Sequence, residues 1–169
     1  TCGRTQLKIL NSKNDALPNN PNAQSIVMKV THNNTAGKTY ESVLLTGDSD
    51  IKTWLHILSK YGKNELSCSI LLASHHGSMS YFQSSNDPVP LTPHLLAKSP
   101  AMTIVSVGDN AHGHPDRKAL LLYEKYSTGS NQGNKVYRTD KQGHICLELK
   151  DEGGWSISVQ NKNKERTLA

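Results

Sequence analysis

Two adjacent histidines, His75 and His76, close an apolar run in "LLASHHGSMS" (71–80) and are followed by Gly77 and Ser78. A second apolar run, "LLTGDSD" (44–50), ends in a glycine and then Asp48 and Asp50. A third, in "TIVSVGDNAHGHP" (103–115), is followed by His112 and His114. Imidazole and carboxylate are donors that Zn²⁺, Mn²⁺ and Fe accept, and Asp48, His75, His76 and His114 supply that set. An aspartate between two metals can bridge them, and the bound water then becomes a nucleophile as its pKa falls from about 15.7 to about 7. A histidine beside the metals can polarise a substrate or protonate a leaving group. The same residues have plainer readings. Gly-Asp after a strand commonly caps a helix, and Asp48 or Ser49 could do only that. His112 and His114 could simply line a loop. His32, His94 and His144 stand singly, without a pattern. Zinc-finger spacings, a G-x-S-x-G elbow, a P-loop and a G-x-G-x-x-G are absent.

The elements that must position these residues follow from periodicity and turn chemistry. "LKIL" (7–10) reads as a strand and 11–24, rich in Asn and Pro, as a loop. Strands over 25–32 and 39–47 make a hairpin around the turn 33–38. A helix over 50–61 places Ile51, Trp54, Leu55 and Leu58 on one buried face, with His56 off that face. Strands follow at 68–74 and 101–108, separated by a polar segment with a short helix at 92–98. Pro115 suits the first turn of a helix running to Tyr126, with Ala119, Leu120 and Tyr123 buried. Three strands close the chain at 135–140, 144–150 and 155–160. The order β-β-β-α-β-(α)-β-α-β-β-β predicts an α/β layered fold with a mixed sheet. Ligand sites in such sheets gather at strand ends, so the loops after Gly47, Ser74 and Gly108 are expected to converge.

The totals bound the rest. A chain of 169 residues suits one domain with a real core, here 1–160, followed by a basic tail, 161–169. Aromatics are only 5%, so aliphatic residues are expected to carry most of the packing. The formal charge of +5 permits an anionic small molecule or a nucleic acid as substrate. It also leaves a nucleic-acid-binding domain as a competing class. Cys2, Cys68 and Cys146 form no C-x-x-C and are odd in number, which argues against a disulfide framework and points weakly to a cytoplasmic location. Cys68 and Cys146 sit in apolar runs and are expected to be buried. No apolar run reaches about 18 residues, so no membrane association is expected. The chain opens with Thr, as a fragment or processed product would.

Taken in order, "SIVMKV", "VLLTGD", "ILLASHHGS", "TIVSVGDNAHGHP" and "VYRTDKQGHI" resemble the C-terminal half of metallo-β-lactamase-fold hydrolases. More narrowly, they resemble the branch that holds the hydrolase domain of the bacterial competence protein ComEC and the phosphorylcholine esterases. The resemblance covers residues 5–150. It implies the C-terminal half of an αββα sandwich, two divalent metal ions (Zn, or Mn or Fe) and hydrolysis, often of phosphodiesters. It implies Asp48 as the bridging ligand. Of His75 and His76 it implies one metal ligand and one substrate-facing group, with His76 as the ligand and His75 catalytic, although the two roles can be exchanged. His114 is implied to lie near the active site as a second catalytic residue.

One departure is large. The family's first metal signature, H-x-[HD]-x-D-H, does not occur in this chain. Asp48 and one histidine would hold a metal poorly, since such sites want at least three protein ligands. The missing half is expected on an upstream segment of the same protein or on another chain. Otherwise the protein is a degenerate relative that serves as a binding or interaction module. Half a sandwich should also expose apolar surface, through which the chain would dimerise or bind its upstream segment.

Overall fold

The computed structural model describes residues 3–37, 40–82, 100–129 and 133–160. The short helix expected at 92–98, His94 and the basic tail lie outside the described residues. Eight strands form where alternation placed them. They are β1 (Thr5–Asn11), β2 (Val27–Asn33), β3 (Tyr40–Leu45), β4 (Ile70–Leu72), β5 (Met102–Val105), β6 (Val136–Arg138), β7 (Ile145–Leu149) and β8 (Trp155–Val159). Among the described residues two longer helices accompany them, α1 (Ile51–Glu65) and α2 (Arg117–Tyr126), and a single helical turn at Thr139–Gln142 ends β6 earlier than the strand expected over 135–140. The first six strands make one sheet in the order β1-β2-β3-β4-β5-β6, and β7 and β8 form a separate hairpin. β1, β2 and β3 pair antiparallel, whereas β3, β4, β5 and β6 run parallel. The coarse expectation of an α/β fold with a mixed sheet therefore holds.

Side-chain alternation sends each strand's apolar residues to two cores. On one face, Val27, Leu44, Leu71 and Val105 pack with Trp54 and Ile57 of α1 and Ala119 and Tyr123 of α2. On the other, Val43, Ile70, Met102 and Tyr137 are covered by Ile145, Leu147, Trp155 and Ile157 of the β7–β8 hairpin. No described β1 residue belongs to the hairpin-side core. Leu7 pairs with Val30, which belongs to the hairpin-side core, and Leu7 and Ile9 are left 56% and 50% exposed.

Several local expectations are corrected. The cap of α1 is Asp50, which accepts from Thr53 N at 3.1 Å, and neither Asp48 nor Ser49. Leu55 is 44% exposed, and Ile57 takes the place expected for it. A 100° turn per residue puts positions 55 and 57 on opposite flanks of the face centred on Ile51, Trp54 and Leu58, and the sheet covers the flank of Ile57. His56 is half-buried and accepts from Asn14 Nδ2 at 2.7 Å. α2 starts two residues later than expected because Asp116 caps it, accepting from Lys118 N at 2.7 Å. Leu120 is only partly buried. Cys68 is buried, and burial pushes its thiol up to about 12. Cys146 is exposed, because alternation along β7 gives the covered face to Ile145, Leu147 and Leu149. The helix-side core is not mainly aliphatic at its centre. Trp54, Tyr81, Phe82 and Tyr123, each no more than 1% exposed, meet edge-on or stacked at 4.9–5.9 Å between ring centroids.

His32 is a structural residue. It bonds Thr5 Oγ1 at 2.9 Å across the β1–β2 pair and lies 3.0 Å from Asp151 in the hairpin turn. Asp151 also meets Arg4 at 2.7 Å. The Arg4 hydrogen bond first, and that of His32 next, hold the Asp151 carboxyl below the usual aspartate range. A depressed carboxyl contributes its tie above the unfolded value and loses it as pH falls through the lowered folded value. Acidification through that window should therefore speed amide exchange in β7 and β8 ahead of the main sheet, and Asp151→Asn should do the same at neutral pH. Hairpin amides that exchange at the same rate in Asp151→Asn and wild type would remove this tie from the docking of the hairpin.

Candidate active site

Because β3, β4 and β5 are adjacent and parallel, their C-terminal ends lie on one edge of the sheet. The three following segments carry Asp48, the His75–His76 pair and the 108–115 loop. The first two are bound directly, His75 N donating to the Gly47 carbonyl at 3.0 Å. Beneath them, Ser49 and Ser74 form a buried polar link. Ser49 Oγ lies 2.9 Å from Ser74 Oγ, donates to the Thr46 carbonyl at 2.6 Å and accepts from Trp54 Nε1 at 3.0 Å. Ser74 Oγ donates to the Ser49 carbonyl. Every polar atom of this link has a partner, so it fixes the two loops without the cost of an orphaned group.

The histidine pair occupies a strained turn. His75 (φ 47°) and His76 (φ 53°) both adopt the left-handed conformation, which non-glycine residues rarely enter. Each such residue costs about 1–3 kcal/mol and persists only where the surroundings over-determine it. Here they do. Ser78 N donates to the His75 carbonyl at 2.9 Å, and Asp116 N, at the start of α2, donates to the Gly77 carbonyl at 3.0 Å. Ser78 caps the next turn, Met79–Tyr81, which drives Tyr81 and Phe82 into the aromatic core. The turn that bears the pair is thus anchored from both ends.

Each ring is oriented separately. His76 Nδ1 lies 2.7 Å from the Ser106 carbonyl. A carbonyl can only accept, so this nitrogen is a donor, and Nε2 is turned toward Asp48 Oδ1 at 3.5 Å. About half of each of these two side chains is exposed. His75 Nδ1 lies 3.1 Å from Ser80 Oγ, and its ring meets that of His114 edge-on at 5.3 Å. Burial first, then the neighbouring His75, lowers the His114 pKa below the ordinary histidine value. Asp48, His75, His76 and His114 therefore sit as two contacting pairs along one edge of the sheet. His112 stacks on His114 at 6.2 Å between ring centroids, and both line a cavity of about 190 Å³ with His76.

Sequence reasoning missed the residues that hold this loop. Asn110 donates to the carbonyls of Gly108 and His114 at 2.9 and 2.8 Å and accepts from the amides of His112 and His114, both at 3.1 Å. Thr139 clamps the end of β5, accepting from Val107 N at 2.7 Å and donating to the Val107 carbonyl at 2.6 Å. An Asn four residues before a His in a Gly-containing loop is the available signal for the first. Nothing local marks the second.

The donor set tests the implied metals. Two ligands at about 2.0–2.1 Å from one Zn²⁺ at a tetrahedral angle stand about 3.4 Å apart, and Asp48 Oδ1 and His76 Nε2 stand 3.5 Å apart. That pair suits one metal. Among the described residues, however, no group of three or more His, Cys, Asp or Glu side chains is arranged to hold a metal ion. The described residues of this chain do not by themselves fit a two-metal centre. Comparison with models of known families, with curated proteins and with solved structures gives no match. No helix among the described residues is long and apolar enough to cross a membrane.

Proposed function

We propose that this chain carries half of the active site of a metal-dependent hydrolase of the metallo-β-lactamase fold, with a phosphodiester as substrate. The observation that carries the reading is the Asp48–His76 pair. The Ser106 hydrogen bond orients the His76 ring so that Nε2 faces a carboxylate oxygen at 3.5 Å. In the neutral imidazole that nitrogen presents a lone pair, and a cation between it and the carboxylate would satisfy both. His75 and His114 stand beside that pair as the groups that would bind or protonate a substrate oxygen. The remaining ligands are assigned to a segment outside this chain, and the uncovered Leu7 and Ile9 on the hairpin side of the sheet suit its packing. The formal charge of +5 favours an anionic substrate. The two-donor set favours a second reading, a binding module that has lost its chemistry.

Metal content and hydrolysis of bis(p-nitrophenyl) phosphate separate the two. The 169-residue chain should bind Zn²⁺ weakly and hydrolyse nothing. The protein expressed with its preceding coding sequence should contain H-x-[HD]-x-D-H, bind two equivalents and turn the ester over. An extended protein without metal and without turnover would leave the binding module as the answer.

A further inference from the structure

At the end of the sheet away from β1, strand β6 pairs, among the described residues, with β5 alone. That pairing uses the Lys135 carbonyl, which accepts from Thr103 N at 2.9 Å. Backbone groups in a parallel ladder alternate sides along the strand, so the N–H and C=O of Val136 face outward. The next outward donor, Arg138 N, is already taken by Gln142 Oε1 at 2.5 Å. Val136 thus offers one donor and one acceptor on a strand edge that the described residues leave uncovered, a ready template for another chain.

The edge is one wall of a groove of about 590 Å³, and α2 is the other. Its apolar surface comes from Leu120, Leu121 and Val136, and Leu121 is 62% exposed. Its rim carries Arg117, Lys135 and Lys141, for which the described residues supply no ion-pair partner. Arg138 also borders the groove but is held by Asp140 through two bonds. A single carboxylate, Glu124, lies among these cations. The geometry points to a docking groove for an extended acidic peptide of a partner protein, which adds to β6 as a short strand. Its alternate apolar side chains would rest on Leu120 and Leu121, and its carboxylates would meet Arg117, Lys135 and Lys141. A second copy of this chain fits poorly, because a two-fold contact would set the same cationic rim against itself. A nucleic acid would use the cations but neither the strand edge nor the apolar floor. The groove shares no residue with the candidate active site, so this inference stands apart from the hydrolase reading.

The probe is a displayed library of random peptides of about eight residues, selected on the full chain. The variant Arg117→Glu/Lys141→Glu serves as counter-target. Both positions are exposed, where substitutions usually leave the fold intact. Enriched peptides should carry at least two Asp or Glu alternating with apolar residues, and should shift the Val136 amide resonance. They should bind wild type at least about tenfold more tightly than the variant, about 1.4 kcal/mol. The inference fails if nothing is enriched over the variant, or if the enriched peptides shift amides elsewhere. It fails equally if the free chain self-associates through this edge, or if a single-stranded oligonucleotide binds the same amides more tightly than the peptides.

Discussion

Gly77→Ala should cost the fold about 2–5 kcal/mol and displace His114. Gly77 has φ 83°, and a left-handed residue with a side chain costs about 1–2 kcal/mol. A Cβ there would also stand 2.7 Å from Pro115 Cβ and 3.3 Å from Val105 Cγ1. Overpacking of that kind adds about 1–3 kcal/mol. Pro115 cannot retreat cheaply, because Asp116 next to it is bonded to the Gly77 carbonyl and caps α2. The strain therefore passes to His114, whose ring packs on His75. Gly113→Ala is the control. It too has a positive φ, 72°, but a Cβ there meets nothing within 4 Å, so only the backbone cost of about 1–2 kcal/mol applies. Urea midpoints give the two costs, and the His114 ring resonances report its placement. If Gly77→Ala costs no more than Gly113→Ala and leaves those resonances unmoved, the close approach of the two loops is not what positions His114.

That coupling was only partly legible in the sequence. All eight strands announce themselves by alternation or by β-branched runs, because a strand's two faces must meet different partners. The convergence of three loops also follows from elementary topology, since consecutive parallel strands end on one edge. What escaped depends on the tertiary surroundings. Asp48, Ser49 and Asp50 are all competent caps by type, and the choice of Asp50 is decided by where the chain enters α1. Ser49 is drawn away to Ser74 and Trp54, which leaves Asp48 uncommitted at the edge of the sheet. The left-handed backbone of His75 and His76 is only weakly signalled by sequence, because histidine is enriched in that region but adopts it in a small minority of cases. It is imposed by anchors at Gly47, Asp116, Tyr81 and Phe82, the farthest of them 41 residues from His75 in the chain. The apolar run around Cys146 predicts burial, whereas β7 belongs to a hairpin that turns this residue to its outer face. The incompleteness of the metal set was legible, because a motif that is not in the chain can supply no ligand.

The division of labour between two neighbouring aspartates gives the sharpest test of the site. Asp48→Asn should lower Zn²⁺ affinity by at least about 100-fold, since even removing a partner that only orients a ligand costs 10–100-fold. In the extended protein it should abolish phosphodiester hydrolysis. The argument is electrostatic. Asn keeps the volume and one oxygen of the side chain but not the charge that a divalent cation facing His76 Nε2 requires. Stability should change by less than about 0.5 kcal/mol, because Asp48 is half exposed and caps nothing. Asp50→Ala should do the reverse. It removes the acceptor for Thr53 N and Thr53 Oγ1, the loss of a cap costs about 0.5–2 kcal/mol, and Zn²⁺ affinity should remain at the wild-type value. His76→Ala should match Asp48→Asn in metal affinity, whereas His75→Ala should lower turnover more than metal content, and the opposite ranking would exchange the roles of the two histidines. A competitive zinc indicator and a thermal melt on each variant supply all the numbers needed. Equal Zn²⁺ affinity in wild type and Asp48→Asn would take Asp48 out of the site. The facing acceptors at 3.5 Å would then be resolved by a proton on His76 rather than by a metal, and the hydrolase reading would lose the observation that carries it.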